Sequence, residues 1–247
     1  MTKGTAPSLS VSYDPATNRR TSGDSADANG NLTNGSYFAF DIANRVVCTN
    51  TSYLPGATFY TYAPGNQRVW KGGGGSIFNG VYNGEDEFTF YSITGQKMVT
   101  FNRTSGGTGT AFLYFGGKMI KNSTGYITPD GRGSNGKFFP YGQERPSATT
   151  NDKEKFTGYF RDAETGLDYA QNRYHSPGDG RFTTPDPSHF SHPKNPGSWN
   201  QYAYGSGDPA NRIDPNGTDD CTLDGCYIYT GLREERVSLA AATSCPA

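Results

Sequence analysis

Cysteine is scarce in this chain, with four in 247 residues, and so are methionine (three), histidine (three) and tryptophan (two). Four cysteines cannot staple a fold of this length. Cys48 stands alone, whereas Cys221, Cys226 and Cys245 fall near the end, a pattern open to a tail disulfide or to unpaired thiols. Zinc suits it least, because Cys221 and Cys226 have no matching second pair and no nearby histidine. His189 and His192 form a pair without a third ligand, so no metal site is expected, and the absence of a phosphate loop leading into a helix leaves no expected cofactor. Neither Ser nor Cys has a partnered nucleophile motif, which excludes a hydrolase of external substrates as a first reading.

Long apolar runs are also missing. The longest, Ala111 to Phe115, reads as one buried strand, far short of the roughly 20 residues that a membrane-crossing helix needs. The first residues, Met1 to Thr5, lack the apolar centre of a signal peptide, so export is expected to use another route or a part upstream. Charge of one sign is absent as well: 22 Lys and Arg stand against 23 Asp and Glu, so neither nucleic acid nor an anionic membrane is an expected partner.

What the chain does hold is 33 Gly, 15 Pro and an aromatic content of 14% within a hydrophobic total of 33%. Frequent backbone punctuators exclude a helical bundle, and aromatic strand formers point to an all-β fold. Short aromatic segments alternate with turn residues in Tyr13–Arg20, Asp27–Thr33, Phe40–Val47 and Tyr62–Trp70. The pattern continues where Phe88–Tyr91 is followed by Lys97–Phe101, and Phe112–Phe115 by Lys118–Ile120. Units of this size cannot bury their own apolar face, so the expectation is an array of stacked antiparallel β-hairpins. The run Gly72–Gly75 reads as a flexible turn, and the residues from Pro146 to Lys155, without large apolar side chains, as a boundary or exposed loop.

From Lys155 the sequence reads KFTGYFRDAETGLDY, then Arg173-Tyr174, Gly180-Arg181-Phe182, Pro185-Asp186-Pro187, Asn200-Gln201-Tyr202-Ala203-Tyr204 and Asp214-Pro215-Asn216-Gly217. In that order these motifs closely resemble the RHS repeat-associated core domain, and the upstream hairpins resemble the YD repeats of the same proteins. The resemblance implies residues 1–12 as a lead-in, 13–145 as YD-type hairpins with a pre-core linker, 146–217 as the core and 218–247 as a short variable tail. It also implies a ribbon of sheet that, in longer members, coils into a hollow shell around a C-terminal segment. On that footing the chain is expected to be the terminal portion of a shell, a fragment or a truncated paralogue. Its expected partners are its own C-terminal segment, the missing N-terminal repeats, and secretion-system or surface proteins. The expected location is secreted or at the cell surface. The alternative is a β-rich adhesive module that binds carbohydrate or protein.

The family core is similar to an aspartic autoprotease that cuts after its last Asp-Pro-x-Gly-Leu, and the matching aspartates here are Asp186 and Asp214. Two carboxylates within reach of each other divide the labour of an acid and a base, which is the chemistry hydrolysis of a peptide bond requires. An Asp-Pro dipeptide is equally a common turn element, satisfied by an Asx-type hydrogen bond. Arg161, Asp168 and Arg181 are expected in an ion-pair lattice tying hairpins together, with Arg181 a candidate to orient a carboxylate of the pair. The cleavage region is Gly217 and Thr218. Thr218 replaces the family's Leu, a change expected to slow cutting by one or two decades if an apolar subsite is lost, at about 1 to 3 kcal/mol. In the tail, Leu232–Ala242 reads as a helix.

Overall fold

The structure is a computed structural model, and it describes residues 11–21, 26–33, 37–49, 57–73, 77–78, 81–82, 85–104, 106–146, 153–188, 196–218, 220–222, 225–230 and 233–237. Chain order begins with β1 (Phe38–Phe40), β2 (Val46–Thr49), β3 (Thr58–Tyr62) and β4 (Arg68–Gly73). The short pair β5 (Ile77–Phe78) and β6 (Val81–Tyr82) precedes β7 (Glu85–Tyr91), β8 (Lys97–Asn102) and β9 (Thr108–Ala111). Strands β1 to β4 and β7 to β9 form one seven-stranded antiparallel sheet in chain order, the arrangement expected of successive hairpins. A three-stranded sheet follows, of β10 (Leu113–Phe115), β11 (Lys118–Asn122) and β12 (Gly125–Tyr126). Two four-stranded sheets complete the fold: β13 (Phe160–Arg161), β14 (Asp168–Tyr169), β15 (Tyr174–Ser176) and β16 (Arg181–Phe182), then β17 (Arg212–Ile213), β18 (Asp220–Thr222), β19 (Gly225–Thr230) and β20 (Arg233–Val237).

One turn recurs. At Asp27–Asn31, Asp41–Arg45, Ala63–Gln67, Ser92–Gln96, Asp130–Ser134 and Phe139–Gln143 the fourth residue donates its N–H to the first carbonyl, and the first N–H reaches the fifth carbonyl. The fourth residue has positive φ and is Gly30, Asn44, Asn66, Gly95, Gly133 or Gly142, the residue types that tolerate that conformation. Where the turn opens on Asp27, Asp41, Ser92 or Asp130, its side chain accepts a further backbone N–H. The Asn and Gly punctuation in the sequence is therefore a repeated turn geometry.

Three sequence expectations need correction. Gly72 and Gly73 belong to β4 and are not a loop: a Cβ on Gly72 would lie 2.1 Å from the Trp70 ring, and one on Gly73, at φ 135°, 2.2 Å from the Ala57 carbonyl oxygen. Ala111–Phe115 is two strands hinged at buried Phe112, and Phe115 is largely exposed. The helix expected over Leu232–Ala242 is absent at Arg233–Val237, which instead pairs with β19 from Cys226↔Val237 to Thr230↔Arg233. Local helix preference over so short a stretch is weak, and a ladder of cross-strand bonds overrides it. Cys221 is disulfide-bonded and Cys48 is free, whereas His189 and His192 lie outside the described residues.

The core draws on both ends of the chain. Phe38, Val46 and Tyr60 of the large sheet pack with Phe160, Tyr169 and Tyr174. A β-bulge at Thr61/Tyr62, with Tyr62 opposite Arg68 and Tyr60 opposite Lys71, puts both cations on the buried face despite their odd spacing. There Arg68 makes a bidentate pair with Asp162, at 2.5 and 2.9 Å, and Lys71 bonds Glu164 at 2.9 Å.

A second cluster holds Phe156, Tyr159, Ala170, Phe182 and Tyr204, and His175 sits among these rings, 5.2 Å from Tyr204 and 5.6 Å from Phe182. His175 is fully buried, and neither ring nitrogen has a hydrogen-bond partner among the described residues. Asp168 stands 3.9 Å from Nδ1, beyond hydrogen-bond reach, and is itself held by Arg161. Burial therefore dominates and pushes the imidazole pKa down; Asp168 opposes the shift, and the charges of Arg161 and Arg173 reinforce it. A base with a depressed folded pKa binds its proton more readily when unfolded, so stability is lost as pH falls below the ordinary histidine value of about 6.5. The expected slope approaches 1.4 kcal/mol per pH unit at about pH 5–6 in urea unfolding, and His175→Phe should flatten it. An unchanged slope in that variant would assign the acid sensitivity to another group.

Candidate functional site

The loop Asp214–Thr218 joins β17 to β18, and three of its carbonyls are held by donors from outside it. Tyr159 donates its hydroxyl to the Asp214 carbonyl, Asn172 donates both its backbone N–H (3.1 Å) and Nδ2 (3.0 Å) to the Asn216 carbonyl, and Arg173 donates Nε–H to the Gly217 carbonyl. Asn172 and Arg173 are delivered by a tight turn between β14 and β15, in which Gln171 has φ 63°. Gly217 has φ 84°, and a Cβ there would stand 2.8 Å from the Ala170 carbonyl, so glycine is required for the loop to lie this close.

Asp186 reaches the same place from the other side. The segment after β16 runs beside Gln201–Ala203, with Phe182 N–H bonded to the Tyr202 carbonyl and Asp186 N–H to that of Gln201. One nitrogen, Nη2 of Arg173, then contacts Asp186 Oδ2 at 3.0 Å and Asp214 Oδ2 at 3.1 Å. The structure thus brings Asp186 and Asp214 together, with an arginine nitrogen between the facing oxygens. Their other oxygens make the turn bonds anticipated for Asp-Pro: Ser188 N–H to Asp186 Oδ1 at 2.8 Å and Gly217 N–H to Asp214 Oδ1 at 2.7 Å. Each carboxylate serves its own turn and faces the other as well.

Arg173 is locked in place. Its Nη1 donates to the Gln201 carbonyl at 2.9 Å and its Cζ stacks 3.7 Å over the Phe182 ring. The open cleft in front is lined by Arg173, Asp186, Asp214, Thr218, Asp220 and Ser206 among others. Burial pushes the Asp220 carboxyl up, opposed by the Ser206 hydroxyl and by Arg212. Thr218 donates N–H and Oγ1–H to Asn216 Oδ1, so in place of an apolar contact it supplies a cap to the loop.

The other candidates lie elsewhere. Arg161 forms a bidentate pair with Asp168, at 2.5 and 2.9 Å, and reaches Glu144 at 3.0 Å. Arg181 donates to the Asn18 carbonyl at 2.7 Å and stacks between Tyr13 and Tyr202. Arg173, not Arg181, is the arginine that touches the aspartates. Strand parity separates them: Phe182 opposes His175 and shares its face with Arg173, whereas Arg181 opposes Ser176 on the other face. Nothing in the sequence assigns Asn172 or Tyr159 to this site, because each enters only through the folded return of the chain, whereas Asp220 follows directly on the cleavage region.

The fold is an RHS-like, nearly all-β architecture of stacked antiparallel hairpins. The tRNA3(Ser)-specific nuclease WapA of Bacillus spizizenii is similar to this chain, with 29% identity over 216 residues, 78% of this chain and 9% of the relative. The tRNA nuclease WapA of Bacillus subtilis matches at 29% over 221 residues, 78% of this chain and 9% of that protein. The chain thus spans 9% of the curated relatives it matches. Among solved structures, TcdB2-TccC3 without its hypervariable C-terminal region superimposes with a TM-score of 0.59 at 16% identity, over 84% of this chain and 12% of that one. The Tc holotoxin pore of Photorhabdus luminescens gives 0.60 at 16% identity with the same coverages. No family model matches the sequence.

Proposed function

We propose that this chain is the terminal portion of an RHS-type β-shell, with an enclosing or capping role, and that it cuts itself once within the loop following Asp214. The observation that carries the second part is the gathering of Asp186 and Asp214 on one guanidinium, at the loop that holds Gly217 and Thr218. The catalytic pair is Asp186 and Asp214, and Asp186 opens toward water in the cleft, positioned as a general base. The shell role is supported by the outer face of the seven-stranded sheet, where Phe59, Phe88, Phe90 and Phe101 are exposed, a row suited to a neighbouring turn of ribbon.

Arg161, Asp168 and Arg181 act as ties between hairpins in this reading. A disulfide at Cys221 suits a secreted or surface location, and no described helix is long and apolar enough to cross a membrane. The nuclease activity is in the names of relatives of which this chain spans 9%, and it is not carried over. The test is intact mass of the purified full chain held at several pH values between 5 and 8. Two fragments whose masses add to the parent plus one water support self-cleavage. A chain that stays whole throughout removes the protease and leaves only the enclosing role.

A further inference from the structure

We infer that Arg173 is a catalytic residue of the self-cleaving site and that the bond it selects is Gly217–Thr218, one residue before the bond that the family resemblance implies. The inference rests on the self-cleavage reading above and adds the scissile bond and the group that polarises it. Arg173 Nε–H donates to the Gly217 carbonyl oxygen, while Nη2 of the same guanidinium holds Asp186 and Asp214. One planar group therefore fixes an electrophile and the carboxylates beside it, a geometry in which a donor already faces the oxygen where negative charge develops. The stacking of Arg173 on Phe182 and its bond to Gln201 hold the donor in place before the reaction.

The bonds after Asp214 and Asn216 are less suited. The Asn216 carbonyl is held by the uncharged Asn172 and the Asp214 carbonyl by Tyr159, so only the Gly217 carbonyl in this loop carries a cationic donor among the described contacts. Asp186 takes a proton from a cleft water, and the hydroxyl adds to the Gly217 carbonyl carbon. The oxygen that gains the electron pair faces Arg173. Collapse of that adduct breaks the carbon–nitrogen bond, and the proton passes from Asp186 to the departing Thr218 nitrogen, leaving a Gly217 carboxyl and a Thr218 amine. The Thr218 hydroxyl stays engaged with Asn216 Oδ1, and Thr218 itself lines the cleft.

The test reads the new terminus in the unmodified full chain by mass spectrometry of the reduced, denatured fragments. A tail fragment beginning at Thr218 is expected. A tail beginning at Asp219 overturns this inference while self-cleavage itself stands, and a chain that never cuts overturns both. Arg173→Lys keeps a buried positive charge but gives up the fork that reaches the aspartates and the carbonyl together; its cleavage rate should fall on the order of 100-fold or more. Cooperative unfolding of that variant, followed alongside, confirms it is folded. A folded Arg173→Lys chain that cuts at the parent rate removes Arg173 from the chemistry. The fragment terminus of the parent decides the bond even when the variant does not fold.

Discussion

Asp162→Ala is expected to lower the unfolding free energy by about 3 to 5 kcal/mol, the range seen when one partner of a buried ion pair is removed. Asp162 is fully buried, and its carboxylate meets Arg68 Nη1 at 2.5 Å, Arg68 Nη2 at 2.9 Å and Lys71 Nζ at 3.5 Å. Burial alone would raise its pKa, but the Arg68 charge and hydrogen bonds outweigh it and hold the carboxyl below the usual range. Deleting the carboxylate leaves Arg68 buried among Tyr60, Phe160 and Tyr169, at 4.6 to 5.2 Å from their rings. Because β4 and the start of the core meet at this pair, the loss should appear as one cooperative shift in denaturant midpoint. Removing both charges, in Arg68→Met with Asp162→Leu, should recover much of it. A cost below about 1 kcal/mol for Asp162→Ala would mean that the pair behaves as a surface salt bridge.

Asp186→Asn and Asp214→Asn should separate in a way that a simple matched pair would not. Asp186 is partly open to the cleft, and an asparagine there still offers Oδ1 to Ser188. Its stability should change by less than about 1 kcal/mol while self-cleavage falls by a factor of about 100 to 10,000, the usual weight of a general base. Asp214 is buried, with one oxygen on the Gly217 N–H and the other on Arg173. Asp214→Asn should lose the cleavage and, in addition, about 1.5 to 3 kcal/mol from a weakened charged hydrogen bond. Equilibrium unfolding and a timed mass measurement on the same preparations test both. Cleavage of Asp186→Asn at the parent rate would sink its role as the base.

The hairpin array was readable because its signal is local. Each Asn or Gly with positive φ, such as Asn44 or Gly95, lies in the same few residues as the strands it joins. Phe88–Tyr91 and Lys97–Phe101 pair in the structure as the sequence implied, Phe88 opposite Phe101. Asp186 and Asp214 were singled out by the order of motifs. Arg173 lay in plain view within Asn172-Arg173-Tyr174, yet composition gives no means of preferring it to Arg181. That choice depends on which face each arginine occupies once β15 and β16 pair, and the bulge that places Arg68 and Lys71 together is hidden for the same reason. The tail strand Arg233–Val237 was missed because its stability comes from β19, not from its own residues.

The ladder between β17 and β18 gives the loop an unusual mechanical position. Arg212 pairs with Thr222 and Ile213 with Cys221, one strand on each side of Gly217–Thr218, and Cys221 is fully buried. A nick between them would therefore turn one chain into two that still share a sheet, like a clasp cut at its hinge while both halves stay engaged. Such a particle, heavier only by one water, would keep its shape and cooperative melting under native conditions and fall into two pieces only on denaturation. Severing and letting go would then be separate events, and whatever force peels β18 from β17 would decide when the tail departs.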